Sequence, residues 1–307
     1  MKEVKIFTPA TVANVGCGYD ILGFCLDSVG DDMLIRKVDK KGIFITQIDG
    51  FELPYEVEKN VAGVSALALY NTLNLDFGFE IEISKKIKPG SGIGSSAASA
   101  VGSVFGINHL IGNPYSKNEL IKFALKGEAI ASGEEHADNI APAIMGGFTL
   151  VRSTNPVDII SLPFPENLYA TILHPQIEIK TSDSRSLVPS KISLTDVILQ
   201  LSSVGSFIHA LHTSNYDLLG KSIKDLIAEP KRMKLIPYYE NLKDITIKSG
   251  SLGTSISGSG PSIFSLTKGI DTANEIQNQL RFFMDKTNIS FTTYVSKINS
   301  IGVKVIS

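Results

Sequence analysis

One run of small residues constrains this chain more than any other feature: Lys88-Pro89-Gly90-Ser91-Gly92-Ile93-Gly94-Ser95-Ser96-Ala97-Ala98-Ser99-Ala100. Its glycines let the backbone turn tightly and approach another group closely, because no Cβ intrudes. Ahead of it, Phe79, Ile81 and Ile83 alternate with Glu80, Glu82 and Ser84, the period of a half-buried strand. Behind it, small residues enter a helix whose first amides have no intrahelical partners. Those amides and the positive end of the helix dipole make a ready anion site. A Gly/Ser turn leading into a plain helix cap is the simpler alternative. The flanking strand, the helix and the paired serines Ser95 and Ser96 favour phosphate binding, with one serine hydroxyl open to a phosphate-bound Mg²⁺. No Gly-Lys-Ser/Thr ending follows, so the run is not a Walker A loop, and it lies too far from the first strand for a dinucleotide fingerprint.

The rest of the chain alternates strands and helices irregularly, which predicts an α+β fold rather than a regular parallel sheet. Strands are expected near 4–8, 33–38, 42–48, 77–84, 147–152, 157–162, 168–173, 262–267, 291–296 and 302–306. Helices are expected over about 60–74, after the glycine turn, from Ser116 onward, over 194–212 and 215–228, and near 271–286. Ser116 and Glu119 have capping-box spacing. Residues 249–260 read as a Gly/Ser-rich loop, and Pro163 and Pro165 mark a junction between an N-terminal domain, 1–160, and a C-terminal one, 161–307.

With 43% hydrophobic and 20% charged residues, the 307-residue chain can bury a core. A formal net charge of −2 and the lack of a long basic run argue against nucleic acid as a partner. The N-terminus has no signal-peptide pattern, and the apolar stretch 96–111 is short for a span and holds Asn108 and His109, so a cytoplasmic protein without a membrane partner is expected. Cys17 and Cys25 read as reduced, packed thiols. His209 and His212 have metal-compatible spacing but lack companions, so no zinc site is expected.

The glycine run resembles the second motif of the GHMP kinases, with Ile93 where the family commonly has Leu. Thr8-Pro9-Ala10-Thr11-Val12-Ala13-Asn14-Val15-Gly16-Cys17-Gly18-Tyr19-Asp20-Ile21-Leu22-Gly23 resembles the first motif in its homoserine kinase form, and Leu252-Gly253-Thr254-Ser255-Ile256-Ser257-Gly258-Ser259-Gly260-Pro261-Ser262 the third. Each alone would pass for a turn. In this order they identify the chain as a member of the family over nearly its whole length. Thr11 stands where several sugar and mevalonate kinases have Lys, which argues against those relatives.

The resemblance implies a two-domain GHMP fold, with an N-terminal α+β domain holding ATP and a ferredoxin-like C-terminal domain. It implies that Pro89, Gly90, Ser91, Gly92, Ile93, Gly94, Ser95, Ser96, Ala97, Ala98 and Ser99 bind the ATP phosphates, and that Ser96 and Glu128 hold Mg²⁺. On the residues themselves, Leu120, Ala124 and Glu128 step by four, so Glu128 falls on an apolar stripe and needs a cation or donors. An inward salt bridge is the alternative to a metal there. Asn14, Asp20, Thr181, Arg185 and Arg232 are implied to bind L-homoserine, the two arginines taking its carboxylate and Asp20 its ammonium. Asp138 and Asn139 are the implied catalytic pair, with Asp138 a candidate base, and His136 reads as structural. The implied activity is ATP-dependent phosphorylation of the homoserine hydroxyl, with a homodimer as an option. Another GHMP kinase with a mevalonate- or shikimate-type acceptor, or a non-catalytic binding protein on this fold, stays open at this stage.

Overall fold

The computed structural model describes residues 2–179 and 181–306, apart from the side chains of Ser132 and Thr181. The chain runs β1 (Glu3–Ala13), β2 (Leu22–Val38), β3 (Ile43–Asp49), α1 (Val61–Tyr70), β4 (Gly78–Ser84), α2 (Ser95–Leu110), α3 (Lys117–Ser132), α4 (Ile140–Met145), β5 (Phe148–Thr154) and β6 (Val157–Leu162). There follow β7 (Leu168–Pro175), α5 (Thr181–Ser186), α6 (Leu194–Thr213), α7 (Tyr216–Ser222), α8 (Glu229–Arg232), α9 (Tyr239–Lys248), β8 (Gly253–Ile256), β9 (Ile263–Lys268), α10 (Ile270–Met284), β10 (Phe291–Lys297) and β11 (Lys304–Val305).

Among the described residues, seven strands form one sheet in the order β11-β1-β2-β4-β3, with β5 on β2 and β6 on β5; four form a second, β10-β7-β9-β8. The β3–β4 pair is parallel and needs a crossover, which α1 supplies. Every strand up to Leu162 belongs to the first sheet, and β11 returns to it from the far end of the chain.

Alternation sets which face is buried. Ile6 opposite Met33 and Val4 opposite Ile35 turn inward with Ile81 and Ile83, and α1, α2 and α3 cover them with Ala66, Leu69, Val101, Val104, Leu120 and Ala124. Ser116 and Glu119 form the expected capping box, and left-handed Gly133 closes α3. A second core joins the two sheets. Phe24 meets Phe148 at 4.9 Å and Phe264 at 5.7 Å, and Val12, Ile93, Ala170 and Phe207 belong to the same cluster.

Two expectations need correction, and four helices lay outside them. The helix expected over 215–228 stops at Ser222, because Asp225 accepts the N–H groups of Ile227, Ala228 and Glu229 at 2.8, 2.8 and 2.9 Å and so draws the backbone out of the helix. The expected loop 249–260 contains the buried strand β8, which pairs with β9. The short helices α4, α5 and α8, and the longer α9, carry no signal in the reading above.

Cys17 and Cys25 are free and buried; burial pushes Cys17 up to about 12 and Cys25 well above its usual range. Among the described residues, α6 is the one helix long and apolar enough to cross a membrane. Buried Gln200 and Phe207 fix one side of it to the fold, Gln200 donating to the Cys17 carbonyl at 2.6 Å, while Leu194, Ile198 and Leu201 are exposed.

Candidate active site

The glycine loop is held both by contacts from the other two motifs and by its own buried side chains. Gly90, Gly92 and Gly94 take φ of 73, 81 and 71°, a region open to glycine. A Cβ on Gly94 would lie 2.0 Å from Thr11 Oγ1, and one on Gly92 would lie 2.6 Å from the Gly260 carbonyl. These close approaches bring the three motifs together. Ser257 Oγ donates to the Gly92 carbonyl at 2.6 Å, Thr11 N to Ile93 O at 3.2 Å, and Gly258 N to Ala13 O at 3.2 Å. Helix α2 then starts at Ser95 with no side-chain cap, leaving its first amides for another acceptor.

Not every residue of the run faces the cavity. Pro89, Gly90, Gly92, Gly94, Ser95, Ser96 and Ser99 line it. The side chains of Ser91, Ile93, Ala97 and Ala98 are buried elsewhere, Ile93 and Ala98 in the core that joins the sheets. The apolar ones anchor the loop, and only their main chain is left for a ligand. Ser95 Oγ is also engaged, donating to Ile87 O at 2.9 Å. Ser96 is the serine turned to the carboxylate: its Oγ donates to Glu128 Oε2 at 2.7 Å. Glu128 is only 8% exposed.

At the other end, the first motif leaves β1 through a strained turn. Asn14, Val15 and Asp20 have φ of 68, 46 and 60°, and a β-branched residue in that region is a true outlier. Asn14 holds the turn, accepting the Asp20 N–H at 3.0 Å and donating to Gly258 O at 3.0 Å. Asp20 is paired with Arg185, whose Nη1 and Nη2 donate to its oxygens at 3.1 and 3.0 Å. His136 Nε2 contacts Arg185 Nη2 and lies 3.2 Å from Glu134. The buried Nε of Arg185 has no partner. Arg232 is buried, donating to Ser184 O, Gly258 O and Tyr19 Oη at 3.2, 3.0 and 3.2 Å. Tyr19 carries both guanidinium groups, 5.0 Å from Arg232 and 5.8 Å from Arg185. The Thr181 side chain lies outside the described residues.

Between the two ends sit Asp138 and Asn139. Thr11 Oγ1 donates to Asn139 Oδ1 at 2.7 Å, so the residue that replaces the family's lysine orients this amide. Asp138 is buried, and burial first, then the Asp20 and Glu128 carboxylates, raise its pKa to about 7 against the pull of Arg185. Burial likewise lowers the pKa of His136. A carboxylate that titrates near neutrality beside a phosphate loop has the proton affinity of a general base.

One cavity of about 1070 Å³ contains both ends: Ser96, Glu128, Asp138 and Asn139, with Asn14, Asp20, Arg185 and Arg232. It continues past Phe51, Leu53, Pro54, Asn60 and Val61 on one side and Gln176 to Ile179 on the other. That extension, Tyr19 and Lys85 were missed in the sequence. Tyr19 had a signal, an aromatic ring between Gly18 and Asp20 in the first motif; the others are brought in by tertiary structure. Among the described residues no cluster of three or more His, Cys, Asp or Glu has a metal-holding arrangement.

Residues 58–147 match the family model of the GHMP kinases N terminal domain, and residues 207–286 that of the GHMP kinases C terminal domain. The homoserine kinase of Chlorobium phaeobacteroides is 40% identical, with 100% of both chains covered. That of Methanococcus vannielii is 38% identical over 97% of this chain and 100% of its own. The crystal structure of homoserine kinase from Cytophaga hutchinsonii superposes with a TM-score of 0.96 at 46% identity, covering 100% of this chain and 98% of that one. Leishmania major mevalonate kinase, at 16% identity and a TM-score of 0.73 over 96% of each chain, shares the fold alone. With motifs, fold and full-length similarity in agreement, the chain belongs to the GHMP kinase family, in its homoserine kinase branch.

Proposed function

We propose that this protein transfers the γ-phosphoryl group of ATP to the side-chain hydroxyl of L-homoserine, giving O-phospho-L-homoserine for threonine synthesis in the cytoplasm. The observation that carries this reading is one cavity with a cradle of main-chain amides at one end and a fixed carboxylate with two arginines at the other. The amides that open α2 take the phosphates, and the apolar arm at Phe51, Leu53, Pro54 and Val61 takes the purine. Asp20 receives the ammonium of the amino acid. Arg185, which lines the cavity and pairs with Asp20 through Nη1 and Nη2, and Arg232 receive its carboxylate.

The hard-oxygen pair of Ser96 and Glu128 suits Mg²⁺, which takes one or two protein carboxylates and completes its shell with phosphate oxygens and water. Bound there with ATP, Mg²⁺ would neutralise charge on the phosphates. Asp138, ionised, accepts the hydroxyl proton as the new O–P bond forms and the bond from the γ-phosphorus to the β,γ-bridging oxygen breaks, releasing ADP. Asn139, oriented by Thr11, lines the wall beside that hydroxyl. Positioning and fixed charges do most of the work.

A coupled ADP-release assay with Mg-ATP tests the proposal, comparing L-homoserine with mevalonate, shikimate, galactose and L-threonine. Homoserine-dependent release with O-phosphohomoserine as product is the expected result. Release with another acceptor instead would keep the kinase and discard the ammonium and carboxylate assignments.

A further inference from the structure

A glycine loop gains close approach to a ligand by giving up stiffness, so something else must hold its amides in place. The anchors lie just outside the run. Lys85 follows β4, and its side chain and that of Asp31 in β2 are each 2% exposed. Lys85 Nζ reaches three acceptors: Asp31 Oδ2, the Ser95 carbonyl at 2.6 Å and Ser99 Oγ at 2.9 Å. The other oxygen of Asp31, Oδ1, accepts the N–H groups of Lys86 and Ile87 at 2.7 and 2.8 Å. Ser95 Oγ closes the ring on the Ile87 carbonyl. The ion pair thus ties the residues that lead into the phosphate loop to the first turn of the helix that leads out of it. All three donors of the ammonium are used, as a buried charge requires.

We infer that Lys85 and Asp31 are positioning residues for ATP: the pair staples both ends of the phosphate loop and sets where its amides point. The inference rests on the reading that this end of the cavity takes the ATP phosphates. Neither residue belongs to the three motifs, and neither has to touch the nucleotide. A buried pair of this kind can be exchanged for neutral side chains with little loss of stability, whereas removing one partner strands a charge. The pair is therefore best read as a device for geometry, and the two roles can be separated by experiment.

The test is the double variant Asp31→Asn/Lys85→Met, which keeps an acceptor for the Lys86 and Ile87 amides and leaves no unpaired charge. Calorimetry with Mg-ATP, steady-state kinetics and amide hydrogen exchange of the free enzyme over residues 88–99 are compared with wild type. The expected result is a melting temperature within a few degrees of wild type, faster exchange confined to the loop, an ATP Kd raised ~10-fold as contacts are misaligned, and an unchanged KM for homoserine. Wild-type ATP affinity and wild-type exchange in the variant would overturn the inference. So would parallel rises in both KM values with a lowered melting temperature, the mark of general damage. Should the double variant not fold, Ser99→Ala removes one Nζ acceptor without stranding a charge, and faster loop exchange or its absence decides. Failure of the wild-type enzyme to bind Mg-ATP would instead overturn the reading of the site itself.

Discussion

The two ends of the cavity are built on opposite plans. At the phosphate end the loop presents main-chain amides, with Lys88 and the Ser96–Glu128 pair beside them, and it is held by hydrogen bonds from Ser257, Thr11 and Ser95 and by the buried Lys85–Asp31 pair. Lys88, at the start of the loop, donates to the neutral Gln176 Oε1 at 2.9 Å. At the amino-acid end the groups are side-chain charges, and Asp20 and Arg185 satisfy each other. On the proposed reading, a phosphate would meet a cradle already formed, whereas a zwitterion would have to replace the Asp20–Arg185 ion pair, ammonium to Asp20 and carboxylate to Arg185. A ligand with only one of those charges would leave the other group half-buried and unpaired, which is costly. On that reading the amino-acid end would gain selectivity from its resting state, and the phosphate end readiness.

The largest effect is expected at Asp138, which serves both ends. Asp138→Asn should lower kcat by ~10²–10⁴-fold, the range for loss of a general base. In the wild type, the base works only when ionised, so kcat/KM should rise with pH through about 7 and level off above it. That acid limb should vanish in the variant. Its persistence would assign the proton to another group. The same raised pKa bears on stability with a definite sign: between the unfolded value near 4 and the folded value of about 7, the folded state holds the extra proton, so this residue's contribution to stability falls as pH rises across that window.

Next is Glu128→Gln, which probes the phosphate end alone. A drop of ~10²-fold in kcat is expected, the several kcal/mol that a well-placed metal supplies, with the Mg²⁺ requirement moved to higher concentration and the KM for homoserine unchanged. An unaltered Mg²⁺ dependence would remove Glu128 from the ligand set and leave its bond to Ser96 structural. The smallest of the three is Arg185→Ala at the other end. The KM for homoserine should rise ~10- to 100-fold, the value of a charged hydrogen bond, while ATP affinity stays near wild type. A change confined to ATP would erase the division between the two ends.

That division also separates what could be read from the chain from what could not. The phosphate loop is local: glycine spacing, the strand before and the helix after all fall within residues 79–100, and the structure puts them where the pattern required. Glu128 was legible through the four-residue step from Leu120 and Ala124, two residues buried in the core. The amino-acid end was legible only through its resemblance to a family. Asp20 and Arg185 are 165 residues apart, and no periodicity links them. Lys85, just past β4, and Asp31, inside β2, were invisible for the same reason, being ordinary charges until the sheet brings them together. Strand β8 was hidden by composition, since Gly253 and its Gly- and Ser-rich surroundings have weak strand preference; Thr254 is kept in the sheet by burial and by its hydroxyl contacts with Thr246 and Ser265.

Ile93 gives the loop a thermodynamic role besides its chemical one. Its side chain is sealed into the cluster that also contains Phe24, Phe148, Phe207 and Phe264, shared by the two sheets. The loop therefore cannot peel away as a local excursion; opening it exposes an apolar group to water and loosens the junction between sheets. Whatever free energy nucleotide binding contributes is then felt by the molecule as a whole, as for any ligand that binds only the folded state. The nucleotide would act on this enzyme as a clasp as well as a reagent, and a cell rich in ATP would hold it folded more firmly than a buffer does.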